Sequence, residues 1–186
     1  MTALPVSPLS TPSVPELRTE RLLLRGYRLE DFELFAAMQA DPVVMQHITG
    51  KPISRDDAWQ KFARTPGHWT LRGFGYWAVC DGQTDEFLGD AGFSNFERTI
   101  EPSLQPYLEA GWAFRRAAHG RGLATEAMKA AIGWAAQSIP DTEAACMITP
   151  ENTASIRVAE KCGFAFWCST SYRETPVDLY RLAPLR

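Results

Sequence analysis

A chain of 186 residues with 45% hydrophobic and 22% charged residues has an ordinary globular composition. This composition excludes a fibrous repeat and a wholly disordered chain, and the length suits one domain. The 19 lysines and arginines and the 22 acidic residues give a formal net charge of −3, which excludes a chain-wide basic surface for nucleic acid or an anionic membrane. No stretch approaches the ~18 apolar residues of a membrane span, and no basic and then apolar signal segment opens the chain. The sequence therefore predicts a soluble cytoplasmic protein.

The N-terminal residues differ in composition from the rest. Residues 1–15 carry no charge and hold four of the 13 prolines, with serines between them. Such a segment buries too little apolar surface to order itself. We therefore expect a flexible leader over residues 1–16 and a single folded domain over residues 17–186.

The first half of the domain begins with a strand and two helices. Residues 21–27, RLLLRGY, have the pattern of a strand, and the apolar spacing of residues 29–39 predicts a helix that Asp41-Pro42 ends. Ser54 is a plausible cap for a second helix that starts with RDDAWQKF. His47 and His68 fall in the predicted loops, where surface roles are expected.

The middle of the chain is rich in strands. Three short strands in succession, 75–81, 86–97 and 107–115, predict an antiparallel meander. A strong helix over 120–137 and a buried strand over 143–149 follow, then a helix over 152–162 with Gly163 at its end, and a final strand hairpin. This order predicts a mixed α/β domain with one parallel crossover through the long helix.

The four cysteines are spread along the chain without CxxC or other metal-ligand spacing: Cys80, Cys146, Cys162 and Cys168. In a reducing compartment such residues are usually free thiols. The sequence therefore predicts four free thiols and no metal site.

A glycine-rich turn joins the third meander strand to the long helix. Small residues at Gly120, Gly122 and Ala124 leave the backbone bare, so that consecutive N–H groups can face one anion at the positive end of a helix. The Gly-Lys-Ser/Thr ending of a P-loop and the third glycine of a dinucleotide fingerprint are both missing. The turn is therefore either a phosphate or pyrophosphate cradle of another kind or a plain helix start with tolerant glycines. Cationic residues surround it: Arg115, Arg116, His119 and Arg121.

Three segments in order carry a family resemblance: an E-x-G-W strand, then HGRGLATEA, then ENTASIRVAEKCGF. Together they resemble the GNAT superfamily of acyl-CoA-dependent N-acetyltransferases. The opening LRTERLLLR and the DFELF helix are similar to the branch that contains the ribosomal-protein N-terminal acetyltransferases. The resemblance spans residues 17–182. It implies a mostly antiparallel sheet of six to seven strands, splayed between the fourth and fifth, with about four flanking helices.

The resemblance also implies acetyl-CoA as cosubstrate, without a metal. Its pantetheine arm is expected along the backbone of Trp112, Ala113 and Phe114, as an added strand. The family often has Gln or Arg three positions before the first cradle glycine, and this chain has Ala117 there. The remaining residues expected at the cosubstrate are Arg115, His119, Gly120, Arg121, Gly122, Leu123, Ala124, Thr125, Asn152 and Ser155.

Two side chains are candidates for catalysis. Ser155 is placed by the family pattern beside the sulfur, where its hydroxyl can stabilise or protonate the leaving thiolate; alternatively, Asn152 is only a helix cap and Ser155 a first-turn residue. Glu109 is the candidate general base, directly or through one water; alternatively, it pairs with an arginine such as Arg98. Trp59 and Trp69, taken as exposed, are candidates for the acceptor pocket.

Two functions remain open at this point. The first is an acetyl-CoA-dependent N-acetyltransferase whose acceptor is a primary amine, on a protein N-terminus or a small molecule, and which reacts by direct attack in a ternary complex. The second is a non-catalytic acyl-CoA sensor that keeps the cradle and has lost turnover. Expected partners are therefore acetyl-CoA and an amine, without nucleic acid or membrane, and the chain is expected to be a monomer or a homodimer.

Overall fold

The computed structural model describes residues 14–185. Along the chain its elements are β1 Leu17–Arg18, β2 Leu22–Arg25, α1 Phe32–Ala40, α2 Pro42–Met45, α3 Arg55–Arg72, β3 Tyr76–Asp81, β4 Phe87–Ser94, β5 Leu108–Phe114, α4 Leu123–Ser138, β6 Ala144–Ile148, α5 Thr153–Lys161, β7 Ala165–Tyr172 and β8 Thr175–Leu182. Most of the predicted leader lies outside the described residues. Its last part contacts the fold, because Val14 packs on the core and the Pro15 carbonyl accepts the Trp77 indole N–H at 2.8 Å.

One eight-stranded sheet organises the molecule, in the order β1-β2-β3-β4-β5-β6-β8-β7. Its strand pairs are antiparallel except for β5 and β6, which α4 connects. The predicted mixed α/β class with one parallel crossover is thus confirmed. The two-residue strand β1 was not predicted, so the sheet has one strand more than the six to seven expected. The short helix α2 was not predicted either.

The sheet opens between β5 and β6. Their pairing is limited to Leu108 with Ala144 and Glu109 with Ala145. On its other side β5 stays paired with β4 as far as Phe114. Among the described residues no strand pairs with the β6-facing edge of β5 beyond Glu109. Because β1 was not predicted, β5 and β6 are the fourth and fifth strands of the prediction, and the predicted splay is confirmed.

The two faces of the sheet are packed differently. The face under α4 and α5, here called the α4 face, is an apolar core that includes Trp77, Phe93 and Ala131. The opposite face, here called the α3 face, lies under α1 and α3 and is built on Phe35 and Phe62. All the buried polar and charged side chains in the described residues lie on the α3 face or on the elements that cover it: Arg25, Asp31, Gln39, Asp90, Ser94 and Glu109.

Helix α3 is longer than its sequence suggests. Ser54 caps it as predicted, by accepting the Asp57 N–H at 3.3 Å, but the helix continues past Pro66 to a left-handed Gly73. His68 therefore lies on a helix and not in a loop. Trp69 is only 6% exposed and packs against Trp77 and Trp134, so its assignment to an exposed pocket wall was wrong.

Other features follow the sequence closely. The apolar stripe of α4 packs into the core of the α4 face. The four cysteines are free thiols, three of them buried. Within residues 14–185, no helix combines the length and the apolar character that crossing a bilayer needs.

Candidate functional site

The turn before α4 leaves a helix N-terminus open. Gly120 and Gly122 have φ values of 73° and 76°, a left-handed conformation that favours glycine. A Cβ at Gly120 would meet nothing within 4 Å, and one at Gly122 would have only the Arg21 side chain near it, at 3.8 Å. The first helical bond runs from Glu126 N–H to the Gly122 carbonyl, and Gly122 supplies no side-chain cap. The first-turn N–H groups, of Leu123, Ala124 and Thr125, are therefore free of helical partners.

Contacts from the start of the domain hold this turn in place. The Glu126 carboxylate accepts hydrogen bonds from Thr19 Oγ1 at 2.5 Å and from Arg21 Nε at 2.7 Å. Arg21 also donates to the Arg121 carbonyl at 2.9 Å. The open N-terminus is thus a fixed feature of the fold, which favours anion binding because its donors need no rearrangement.

The four cationic residues around the turn have different roles. Arg115 binds the Glu86 carboxylate and the Phe87 carbonyl, so it fastens β5 to the start of β4. His119 donates from Nε2 to the Phe114 carbonyl at 2.8 Å, which closes the turn. Arg116 and Arg121 are exposed. Of the predicted cations, these two are the ones that the described contacts leave available to a bound anion.

The open edge of β5 leads from this turn towards the end of the β5–β6 pairing. Trp112 and Phe114 direct their side chains to the apolar α4 face, whereas Glu109, Gly111 and Ala113 lie on the α3 face. The backbone groups on the β6 side of this strand remain for a ligand. An extended chain bearing amides suits such an edge, because it can complete the missing ladder.

Helix α5 begins on the other side of the splay, after β6. The Asn152 side chain accepts the Ser155 N–H at 3.1 Å and so caps the helix. Ser155 itself is half-buried in the first turn. The structure brings Asn152 and Ser155 together, as the sequence predicted, and Asn152 also has the capping role that was the alternative.

Glu109 is buried on the α3 face, with 6% of its surface exposed. The alternative noted from the sequence is present, because Arg98 Nε lies 2.7 Å from Glu109 Oε1. Arg98 belongs to the segment between β4 and β5, and its guanidinium lies over the rings of Phe96 and Tyr172. Burial raises the pKa of Glu109 above its ordinary value, and the charge and hydrogen bond of Arg98 only partly offset this.

Sequence reasoning missed another buried carboxyl group on the α3 face, Asp90. It is 5% exposed and accepts the Tyr27 hydroxyl at 2.9 Å, and burial raises its pKa. Nearby, the Lys61 ammonium donates to the Gln39 side chain at 3.0 Å, and burial lowers the pKa of Lys61. An acidic residue within the apolar run FLGDAGF was the available signal, because a strand buried on both faces rarely holds one without partners.

Two histidines and one tryptophan complete the α3 side. His47 Nδ1 lies 3.4 Å from Thr149 Oγ1 at the end of β6, and a His68 ring nitrogen lies 3.2 Å from Ser94 Oγ on β4. Burial, together with Arg64 and Arg72, lowers the pKa of His68. Trp59 is 45% exposed and packs on Phe32. Within residues 14–185, no group of His, Cys, Asp and Glu side chains has the arrangement of a metal site.

Known proteins share this sequence and architecture. The family profile described as "Acetyltransferase (GNAT) domain" matches residues 21–165. The protein YkkB of Bacillus subtilis strain 168 is 32% identical over 171 residues, which cover 89% of this chain and 94% of YkkB.

Solved structures agree with these matches. An acetyltransferase from Agrobacterium tumefaciens strain C58 superposes with a TM-score of 0.78 at 28% identity, over 96% of this chain and 99% of that one. RimL, a ribosomal L7/L12 alpha-N-protein acetyltransferase solved with coenzyme A, has a TM-score of 0.73 at 14% identity, over 91% and 98% of the two chains, which is a likeness of fold. With a family match over most of its length and the splayed sheet of that fold, this chain belongs to the GNAT acetyltransferase family.

Proposed function

We propose that this protein transfers the acetyl group of acetyl-CoA to a primary amine by direct attack in a ternary complex. The observation that carries the proposal is the splay, where β5–β6 pairing ends at Glu109 and leaves one edge of β5 open as far as Phe114. The bare N-terminus of α4 follows at the far end of that edge. A backbone edge next to an anion cradle suits a ligand with amides at one end and a pyrophosphate at the other.

The order of β5 and the α4 turn along the chain supports one direction for such a ligand. The pyrophosphate binds the N–H groups of Leu123, Ala124 and Thr125, with Arg116 and Arg121 as exposed counter-charges. The pantetheine amides pair with the backbone of residues 112–114. Because the cradle follows the C-terminal end of β5, the reacting end of the ligand lies towards Glu109, where the two strands meet.

Acetyl-CoA supplies an activated acyl group as a thioester, and the protein supplies position and proton handling. The lone pair of a neutral amine forms the new C–N bond, and the C–S bond breaks to release a thiolate. Glu109 takes the amine proton, directly or through one water, and its raised pKa brings it nearer to the range useful for a base. The Ser155 hydroxyl donates a hydrogen bond or a proton to the thiolate.

The acceptor approaches from the α3 face, because the α4 face is filled by apolar packing. RimL, which has this fold, is named for acetylating a protein α-amino group. We extend this to a primary amine of a protein N-terminus or of a small molecule.

The test uses the full-length chain, acetyl-CoA, and a panel of peptides with different N-terminal residues together with small primary amines. Thiol release that depends on the amine, with a product heavier by one acetyl group in mass spectrometry, is expected for at least one acceptor. Calorimetry with acetyl-CoA runs alongside. Binding without turnover on any amine would instead indicate an acyl-CoA sensor, and absence of binding would overturn the proposal.

A further inference from the structure

The Tyr76 side chain lies across the α3 face next to the splay. Tyr76 is the first residue of β3, and the strand register places it opposite Gly92, which is in turn opposite Gly111 on β5. Paired residues on neighbouring strands share a face, so Tyr76 reaches over two glycines that offer no side chain. The ring can therefore lie across β4 and reach β5.

The hydroxyl of Tyr76 ends at the open strand. A Cβ placed on Gly111 would lie 1.9 Å from Tyr76 Oη and 3.1 Å from its Cζ, so the hydroxyl rests against the Gly111 backbone. Gly111 is two positions beyond Glu109, the last β5 residue paired with β6. Tyr76 Oη thus lies where the proposed direction of the cosubstrate puts the thioester.

This hydroxyl has no other task in the described part of the chain. The hydrogen bond between Trp69 and Tyr76 does not involve the phenol. In it, the backbone carbonyl of Tyr76 accepts the Trp69 indole N–H at 3.0 Å. No hydrogen bond within residues 14–185 involves the Tyr76 phenol oxygen, whereas the neighbouring Tyr27 hydroxyl is bound to Asp90. Tyr76 is half-buried as a residue, and a hydroxyl without a described partner at this position is available to a ligand.

The surroundings of Tyr76 decide which hydrogen-bonding role suits it. Burial, Asp90 and Glu109 raise its pKa well above the ordinary value, with Arg98 acting in the opposite direction, so the phenol keeps its proton. It is then a poor base but a good hydrogen-bond donor. In the proposed function Glu109 accepts the proton of the amine. The thioester carbonyl oxygen still needs a hydrogen-bond donor.

We propose that Tyr76 donates a hydrogen bond to the thioester carbonyl oxygen and stabilises the negative charge that this oxygen gains as the amine attacks. No proton is transferred in this contact: the carbonyl π electrons move onto oxygen, the O–H of Tyr76 remains intact, and the electrons return when the C–S bond breaks. This inference rests on the proposed function. It adds a catalytic residue on β3, whereas Glu109 lies on β5 and Ser155 on α5.

The test measures the carbonyl resonance of acetyl-CoA labelled with ¹³C at that carbon, bound to wild type and to Tyr76→Phe. A hydrogen bond polarises the carbonyl, so the bound resonance is expected downfield in wild type and further upfield in Tyr76→Phe. On an amine that wild type acetylates, kcat is expected to fall by about 10²-fold, with KM for acetyl-CoA nearly unchanged, because one oxyanion donor is lost.

Two further variants separate this role from packing. Tyr107→Phe removes the hydroxyl of a tyrosine just before β5 that packs on Trp167, and it should leave both readouts unchanged. Gly111→Ala puts a methyl group where Tyr76 Oη lies, so it should reduce kcat in wild type by a larger factor than in Tyr76→Phe, where only the ring carbon Cζ, 3.1 Å away, remains close.

The outcomes are distinguishable. Equal carbonyl resonances in wild type and Tyr76→Phe would overturn the role of Tyr76 while leaving the proposed function in place. A raised KM for the amine with an unchanged resonance would also overturn it, because the hydroxyl would then contact the acceptor. Failure of wild type to bind acetyl-CoA would overturn the proposed function, and this inference with it.

Discussion

The two helices that follow the splayed strands begin in different ways. α5 follows β6, and the Asn152 side chain accepts a hydrogen bond from the N–H of Ser155 in the first turn of the helix. α4 follows β5 and starts at Gly122, which supplies no side-chain cap. A helix N-terminus whose donors are taken by its own cap binds an anion less readily than one whose donors are free. The contrast supports the proposal that α4 binds the anion and that α5 presents the Ser155 hydroxyl.

The largest effect should come from filling the bare turn. Gly122→Val adds a branched side chain at a left-handed φ and beside the free N–H groups of α4, so binding of acetyl-CoA should fall by at least about 10²-fold in a folded protein. Isothermal calorimetry measures the affinity, and circular dichroism checks the fold.

Gly73→Val is the matched control for that variant. Gly73 also has a left-handed φ, 74°, and a Cβ there would meet nothing within 4 Å, but it ends α3 and contributes no N–H group to the first turn of α4. Both substitutions cost about 1–3 kcal/mol of backbone strain. Only Gly122→Val should lose affinity, and equal affinities of the two variants would remove anion binding from α4.

A smaller effect is expected at the start of α5. Ser155→Ala should lower kcat by about 10–10³-fold with little change in KM for acetyl-CoA, because the leaving thiolate loses its hydrogen-bond or proton donor. Thr153→Ala, which removes an exposed hydroxyl from the same turn, is the control. Steady-state kinetics on an accepted amine decide the matter: a kcat within twofold of wild type leaves Ser155 as a helix residue only.

The next prediction concerns the pH dependence of the base. Below its pKa the Glu109 carboxyl holds a proton and cannot accept another, so kcat/KM should fall as pH drops through a value above the ordinary one for glutamate. Glu109→Gln should remove this acidic limb and cost at least about tenfold in kcat/KM.

Arg98 offers an independent readout of the same limb. Its charge and hydrogen bond lower the pKa of Glu109, so Arg98→Gln should move the limb to higher pH. His68 and Asp90 are other titratable groups on the α3 face, and His68→Asn should leave the limb in place. If the acidic limb moves in His68→Asn and stays in place in Arg98→Gln, Glu109 is not the base.

The smallest effect should be on stability. Asn152→Ala removes the side-chain cap of α5 and should lower the free energy of unfolding by about 1 kcal/mol, whereas Asn152→Asp keeps a capping oxygen and should lose much less. Urea unfolding of the three proteins measures the difference. Equal stabilities would show that the Asn152 cap contributes little, which would weaken the contrast between the two helices.

Local signals in the sequence were enough to predict much of the fold. The spacing of apolar residues placed α4, and Asn152 and Gly163 marked the ends of α5, because caps and left-handed stops have residue preferences of their own. The second half of α3 was missed, because Pro66 and Gly67 suggest a break that tertiary packing of Trp69 overrides.

The site was less predictable than the fold for a related reason. The two glycines of the proposed cradle are separated by one residue, so their pattern is visible in one short stretch of sequence. The Arg98–Glu109 pair and the approach of Tyr76 to Gly111 depend instead on strand register and on partners from separate segments. Register is set by the packing of the whole sheet, and a tyrosine at the start of an apolar strand is ordinary core composition until that register is known.

An amide NMR titration tests the central contrast most directly. In ¹H–¹⁵N spectra of the full chain, coenzyme A should shift the amides of Leu123, Ala124 and Thr125 most strongly, together with those of residues 110–114 along the open edge of β5. The Ser155 amide, held by Asn152, should shift much less. Strong shifts at residues 153–155 with the α4 amides unmoved would contradict the account, because the anion would then bind the capped helix and not the bare one.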